Sequence, residues 1–150
     1  MSKITVQKIT PYLWFDNRAQ EAAEFYCSVF KNARIISSSY ALVEFELEGM
    51  NFIGINGGPQ FKFTEAVSFF ILCEDQEEVN YFWDHLTSGG GQESMCGWCR
   101  DKFGLSWQVV PLRLIEIMKS GDPEKTGKAT DAMLKMRKID IAELEKAYHS

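Results

Sequence analysis

The chain has 150 residues, 45% of them hydrophobic and 25% charged, with a net charge of −5. That is enough for one domain that buries most of its unfolded surface, and the composition excludes a disordered chain. The acidic balance and the lack of any basic block exclude a nucleic-acid partner. The longest apolar runs, such as Val67–Cys73, are of strand length and too short for a membrane span. The N-terminal stretch MSKITVQKITPYL lacks the apolar core of a secretion signal, so a cytoplasmic protein with four reduced cysteines is expected.

Residues 9–16, ITPYLWFD, form an apolar strand-like run ending in Asp16. Ala19, Ala22, Ala23, Tyr26, Val29 and Phe30 then recur at three- and four-residue spacing and predict an amphipathic helix. Asn17 and Gln20 stand in the relation of an N-terminal capping box. Arg34–Tyr40 reads as a strand through Ile35 and Ile36. Val43, Phe45 and Leu47 alternate with Glu44, Glu46 and Glu48, the pattern of a strand with one wet face. The glutamates form a solvated face or, in a functional reading, favour a cationic ligand. Gly49 marks a turn, and Asn51–Asn56 returns as a strand. The following Asn56-Gly57-Gly58-Pro59 is a turn sequence whose backbone N–H groups can also meet an anionic group.

After a Gly57–Glu65 connection the plan repeats. Residues 67–75, VSFFILCED, form a strand closing on an acidic residue. Asp75 and Glu78 make a second capping box, and Val79, Phe82, Trp83 and Leu86 form the next apolar helical stripe. A flexible Ser88-Gly89-Gly90-Gly91 connection leads to two strands, Ser94–Arg100 and Leu105–Val110, paired across an Asp-Lys-Phe-Gly turn. Leu112–Met118 is a short amphipathic stretch. Asp122-Pro123 starts a helix with proline at its first position. Ala129, Ala132, Met133 and Met136 give that helix an apolar face suited to core or subunit packing. Asp140 with Glu143 caps a last helix running to Tyr148. The expected fold class is α+β: a single domain of two βαβ(β)β modules, about 1–57 and 66–111, with a helical tail over 112–150.

Gln108 is the first candidate for function, because it sits among Trp107, Val109 and Val110 where a buried strand would carry another apolar residue. Its amide both donates and accepts, so it can bind a polar ligand group or serve neighbouring backbone. Tyr12, Trp14, Phe69, Trp98 and Trp107 can wall an aromatic pocket for a planar molecule, although strand aromatics also build cores. Asn56 ends a strand beside the glycine turn and joins this set. Cys96 and Cys99 form a CxxC, but in a strand that lacks the helix N-terminus redox pairs use, and no second pair completes a zinc site. The histidines, His85 in a helix and His149 near the chain end, read as surface residues. No G-x-G-x-x-G occurs, and the triple glycine follows a helix, so no nucleotide-binding loop is visible.

Three stretches, ITPYLWFDNRAQEAAEFYCSVF (9–30), FxxxNGGPxFKFTEAVSFF (52–70) and CGWCRDKFGLSWQVVP (96–111), resemble the PhnB-like family, often labelled 3-demethylubiquinone-9 3-methyltransferase. That family belongs to the vicinal oxygen chelate superfamily of glyoxalases, bleomycin-resistance proteins and extradiol dioxygenases. The KMRKIDIAELEKAY tail (135–148) also fits. The resemblance implies paired βαβββ modules forming half-open barrels around a cavity, in a homodimer. In metal-dependent relatives, His and Glu on cavity-facing strands hold a divalent metal; the matching positions here are Ser68, Ile9 and Gln108. Those residue types cannot form a tight metal site, so neither metal nor cofactor is expected. The expectation is a protein that binds a small aromatic or apolar molecule in a metal-free cavity lined by Tyr12, Trp14, Asn56, Phe69, Trp98, Trp107 and Gln108. The alternative is an enzyme: the methyltransferase of the family label, or a metal-dependent lyase or dioxygenase.

Overall fold

Alternating burial along strands and three-to-four spacing along helices generate the architecture of the computed structural model, which describes residues 7–150. The chain divides into two compact units, one ending at Lys62 and the other spanning Phe63–Ser150.

The first unit runs β1 (Tyr12–Phe15), α1 (Ala19–Val29), β2 (Ala33–Ser38), β3 (Leu42–Leu47) and β4 (Met50–Asn56). Its sheet has the order β1-β4-β3-β2, with β1 parallel to β4 and the other pairs antiparallel. Val43, Phe45 and Leu47 alternate inward as expected and join Leu13, Phe15 and Phe52 in the core. The α1 stripe of Ala19, Ala22, Ala23, Tyr26 and Val29 is buried with them, and the Phe45 ring stacks on both Tyr26 and Phe52. Gly54 permits the close approach of α1, because a Cβ there would lie 3.3 Å from Phe15 and 3.4 Å from Ala19. Glu48 and Gly49, both with positive φ, make the tight β3–β4 turn.

The α1 N-terminus departs from the expected capping box. Asn17 lies outside the helix with φ of 59°, and the residue at the cap position, Arg18, turns its side chain to Glu21 and does not cap the helix. The acceptor comes instead from Asn56 at the end of β4, whose Oδ1 accepts from the Ala19 backbone N–H at 2.9 Å. Sheet pairing carries β4 to this point, and its terminal amide takes one of the N–H groups every helix start leaves without a partner.

The second unit repeats the plan with β5 (Ser68–Cys73), α2 (Gln76–Thr87), β6 (Gln92–Glu93), β7 (Trp98–Arg100) and β8 (Ser106–Pro111), in the order β5-β8-β7-β6. Here the cap is local: Asp75 accepts from the Glu78 N–H at 2.9 Å. Val79, Phe82, Trp83 and Leu86 are buried as expected. The strand expected over Ser94–Arg100 is shorter. Cys96 and Gly97, with φ of 59° and 83°, form a left-handed turn, and β7 starts only at Trp98. Their N–H groups donate to the Met136 and Arg137 carbonyls, both at 2.8 Å, which holds the turn against extension. A Cβ on Gly97 would meet the Val109 carbonyl at 2.8 Å, so the position requires glycine on two counts.

The tail forms α3 (Leu112–Met118), α4 (Pro123–Met133) and α5 (Ile141–Tyr148). Asp122 and Asp140 cap the last two by accepting from Lys125 and Glu143 N–H groups. Leu114, Ile117, Ala129, Ile139 and Leu144 close a buried cluster over Val110, with Met133 and Met136 only partly buried at its edge. The Gln76 side chain at the start of α2 ties the tail down twice, donating to the Ile139 carbonyl and accepting from the Ile141 N–H. Among the described residues no helix is long and apolar enough to cross a membrane.

Candidate functional site

The turn between β7 and β8 shows how the second sheet presents its side chains. Asp101 is buried. Its Oδ1 accepts from the Phe103 and Leu105 N–H groups at 2.9 and 3.1 Å, and its Oδ2 accepts from the Trp107 indole at 2.9 Å. A carboxylate with three donors is tolerated inside a protein where a bare one is not. It fixes Trp107 on the face packed under α2, together with Phe69, Ile71, Cys73, Cys99 and Val109. Strand alternation then turns Gln108 to the opposite, open face.

On that face the register gives two rows across the sheet. One row is Phe70, Gln108 and Trp98, and the other is Ser68, Ser106, Arg100 and Gln92. Gln108 Nε2 donates to Ser68 Oγ at 3.0 Å, a diagonal bond between the rows. Phe70 is 50% exposed and Leu72 52%, so apolar surface lies beside this polar pair. Arg100 is occupied: its guanidinium bonds the Gln92 side chain and lies 3.6 Å from the Glu65 carboxylate. The Ser106 hydroxyl is buried with no hydrogen-bond partner among the described residues. Leaving such a group unpaired costs about 1–3 kcal/mol.

The seven expected cavity residues therefore separate. Trp98 and Gln108 lie on the open face of the second sheet. Phe69 and Trp107 do not; they are on its helix side, where Trp107 is core, 3% exposed and bound to Asp101, and the two rings lie 5.7 Å apart. In the first unit Tyr12 and Trp14 share the open sheet face with Ile53 and Ile55. Trp14 is held there by its own loop. Its indole donates to the Gly58 carbonyl at 2.8 Å, the Phe61 ring meets it edge-on, and a Cβ on Gly57 would overlap it. The glycine turn thus serves to seat Trp14. Asn56 is engaged on both sides of its amide, accepting from Ala19 and donating to the Tyr40 carbonyl at 2.7 Å. With Asn17, Gln20, Ser38, Ser39 and Tyr40 it borders a shallow, open depression of about 460 Å³. Asp101 and Ser106 escaped notice in the sequence. A polar residue leading a tight turn signals the first, and a second polar residue two before Gln108 signals the other.

The residues at the positions where the resemblance puts metal ligands do not fit a divalent ion. Gln108 offers an uncharged amide already bonded to Ser68, Ser68 an uncharged hydroxyl, and Ile9, 85% exposed, no donor atom at all. Among the described residues no group of three or more His, Cys, Asp or Glu side chains is placed to hold a metal. His85 is exposed on α2 with Nδ1 against the Tyr81 carbonyl, and His149 pairs with Glu145. The CxxC is split between the turn and the core. Burial, then the nearby Asp101 and Glu93, push the Cys99 thiol up to about 12. Burial, followed by Glu78 and Asp75, does the same for Cys73. Both stay protonated at neutral pH and are poor nucleophiles.

Two βαβββ sheets in tandem, each with its helix on one face and an open face on the other, define the vicinal oxygen chelate fold of glyoxalases and bleomycin-resistance proteins. Within it, the chain belongs to the PhnB-like family described as 3-demethylubiquinone-9 3-methyltransferase, whose model matches residues 7–110. Among solved structures, the PhnB protein of Bacillus cereus is 32% identical; the match covers 70% of this chain and 99% of that one, with a TM-score of 0.65. Protein PA1353 from Pseudomonas aeruginosa shares the fold at 17% identity over 71% and 98% of the two chains, TM-score 0.57. A glyoxalase-related enzyme from Fulvimarina pelagi does so at 9% identity over 72% and 91%, TM-score 0.51. Comparison with curated proteins returns no match. The family model ends before α3, so the helical tail lies beyond the region it describes.

Proposed function

We propose that this chain is a small-molecule-binding member of its family that works without a metal, as a cytoplasmic homodimer, and that an aromatic or apolar ligand lies on the open face of the second sheet. The observation that carries the reading is the Gln108–Ser68 pair set between the half-exposed Phe70 and Leu72 and the Trp98 ring. Pockets for organic ligands combine an apolar surface with a few fixed polar groups, and this row has that composition. Among the described residues the Gln108 side chain bonds Ser68 through its amide nitrogen, which leaves the amide oxygen to accept from a ligand, while Ser68 can turn its hydroxyl hydrogen outward. The neutral donor set gives the Lewis-acid chemistry of metal-dependent relatives no support.

The test is a thermal-shift and calorimetric screen of aromatic compounds against the wild type and Gln108→Ala. Binders should raise the melting temperature of the wild type in proportion to occupancy. The substitution should weaken them about tenfold, the size of one lost hydrogen bond, with little change in unliganded stability. Equal affinity for both proteins would remove Gln108 from the site.

A further inference from the structure

The depression at one end of the first sheet is bordered by three segments: Asn17 and Gln20 at the start of α1, Ser38, Ser39 and Tyr40 where β2 turns into β3, and Asn56 at the end of β4. All six residues belong to the first unit, whereas Ser68 and Gln108 belong to the second. Its volume of about 460 Å³ lies within the range of small-molecule sites, about 300–1,000 Å³.

The frame is fixed by its own hydrogen bonds. Asn56 ties the three segments together, accepting from the Ala19 N–H at 2.9 Å and donating to the Tyr40 carbonyl at 2.7 Å. Ser38 donates to the Gln20 side chain, whose amide nitrogen donates to Glu24 at 3.0 Å. The Ser39 hydroxyl closes the turn on the Leu42 backbone. A frame held in this way needs little ordering to receive a ligand. Two side chains are left over. The Asn17 amide and the Tyr40 hydroxyl make no hydrogen bond among the described residues, and Tyr40 is 79% exposed.

The chemistry of the lining narrows the ligand. None of the six residues carries a formal charge, and Arg18, the basic residue next to Asn17, is paired with Glu21 at 2.6 Å. An anion would give up water here without gaining a counter-charge. One aromatic ring is too little apolar surface to hold a hydrocarbon body in an open depression. An uncharged molecule dense in hydroxyl groups, with a C–H face, meets both left-over side chains. Hydroxyls on adjacent carbons donate to and accept from one amide, which offers both functions side by side. The C–H bonds carry partial positive charge that suits the negative face of the tyrosine ring.

We infer that this depression is a weak binding site for a neutral saccharide, with the Asn17 amide on vicinal hydroxyls and the Tyr40 ring against the C–H face of the sugar.

Saturation-transfer NMR on the full chain tests it, with D-glucose, D-galactose, D-mannose and D-ribose as probes and D-glucuronate as the charged counterpart. At least one of the neutral sugars should receive saturation and titrate with about millimolar affinity, the strength of a few hydrogen bonds made in contact with water. Asn17→Gly deletes the amide and keeps the turn, since glycine adopts a φ of 59° without strain. It should weaken the sugar about tenfold. Tyr40→Ala should do the same with no change in melting temperature, because the ring is exposed. Gln108→Ala should leave sugar affinity unchanged, so this site and the ligand face of the second sheet stand or fall separately. No transfer to any of the neutral sugars, tighter binding of D-glucuronate than of D-glucose, or a sugar affinity that survives both Asn17→Gly and Tyr40→Ala overturns the site. Loss of sugar binding in Gln108→Ala alone also overturns it.

Discussion

The two sheets share one topology and spend their polar residues differently. In the first, the amide at the sheet end, Asn56, is consumed by structure: one side caps α1 and the other holds the Tyr40 carbonyl. Its open-face tryptophan, Trp14, is locked by Gly57, Gly58 and Phe61. Beside Tyr12, Ile53 and Ile55, that face also carries Glu44, Glu46 and Arg34, with an exposed Arg34–Glu46 pair of the kind that contributes little. In the second sheet the helix cap is local, through Asp75, so no amide is drawn away to serve it. Among the described residues the Gln108 side chain bonds Ser68, beside exposed Phe70 and Leu72, and the buried Ser106 hydroxyl has no partner. Duplicated architecture therefore does not duplicate the use of polar side chains: the first sheet spends its amide on a helix cap and a loop, while the second pairs its amide with a single serine hydroxyl.

The comparison can be broken most forcefully at Trp107. If its ring belongs to the core and not to the ligand face, Trp107→Ala removes a buried indole and one of the donors to the Asp101 carboxylate. Loss of about 3–5 kcal/mol is expected, read from the denaturation midpoint. A near-neutral result would return Trp107 to the open face and undo the assignment of the two rows. Gly57→Ala tests the first sheet in the same way. The added methyl collides with Trp14, so about 1–3 kcal/mol of destabilisation is expected, with a change in near-ultraviolet circular dichroism as the indole is displaced. Unchanged spectra and stability would mean that Trp14 is not held by its loop.

Most of this architecture was legible in the sequence, because both periodicities are strong. The alternation of Val43, Phe45 and Leu47 and the helical stripes of Ala19–Val29 and Val79–Leu86 reappear as burial. What escaped depended on contacts distant along the chain. Asn56 caps a helix that starts 37 residues earlier, a partnership made by sheet pairing and invisible to a local capping rule. The Ser94–Gly97 segment reads as strand, yet carbonyls of Met136 and Arg137 hold it as a left-handed turn. The core position of Trp107 is a different matter. Adjacent residues of a strand face opposite ways, so Trp107 and Gln108 could not line one cavity, and the period-two rule already contained that answer. The placement of Gln108 was readable for the same reason; the unpaired Ser106 hydroxyl was not, since satisfaction of a hydroxyl depends on everything around it.

The smallest effect sharpens the contrast between the two helix starts. Asp75→Ala removes one side-chain acceptor from α2 and should cost about 1 kcal/mol, the ordinary worth of such a cap. Asn56→Ala removes the acceptor from the Ala19 N–H and also the donor to the Tyr40 carbonyl, so it should cost more, about 1.5–2 kcal/mol. Asn56→Asp separates the two contributions: a carboxylate still accepts from Ala19, and its charge suits a helix N-terminus, but it cannot donate to Tyr40. Its stability, measured from the same denaturation curves, should fall between wild type and Asn56→Ala. If Asn56→Ala costs no more than Asp75→Ala, the Tyr40 bond contributes nothing, one side of the amide is free in solution, and the first sheet regains a polar group that a ligand could use.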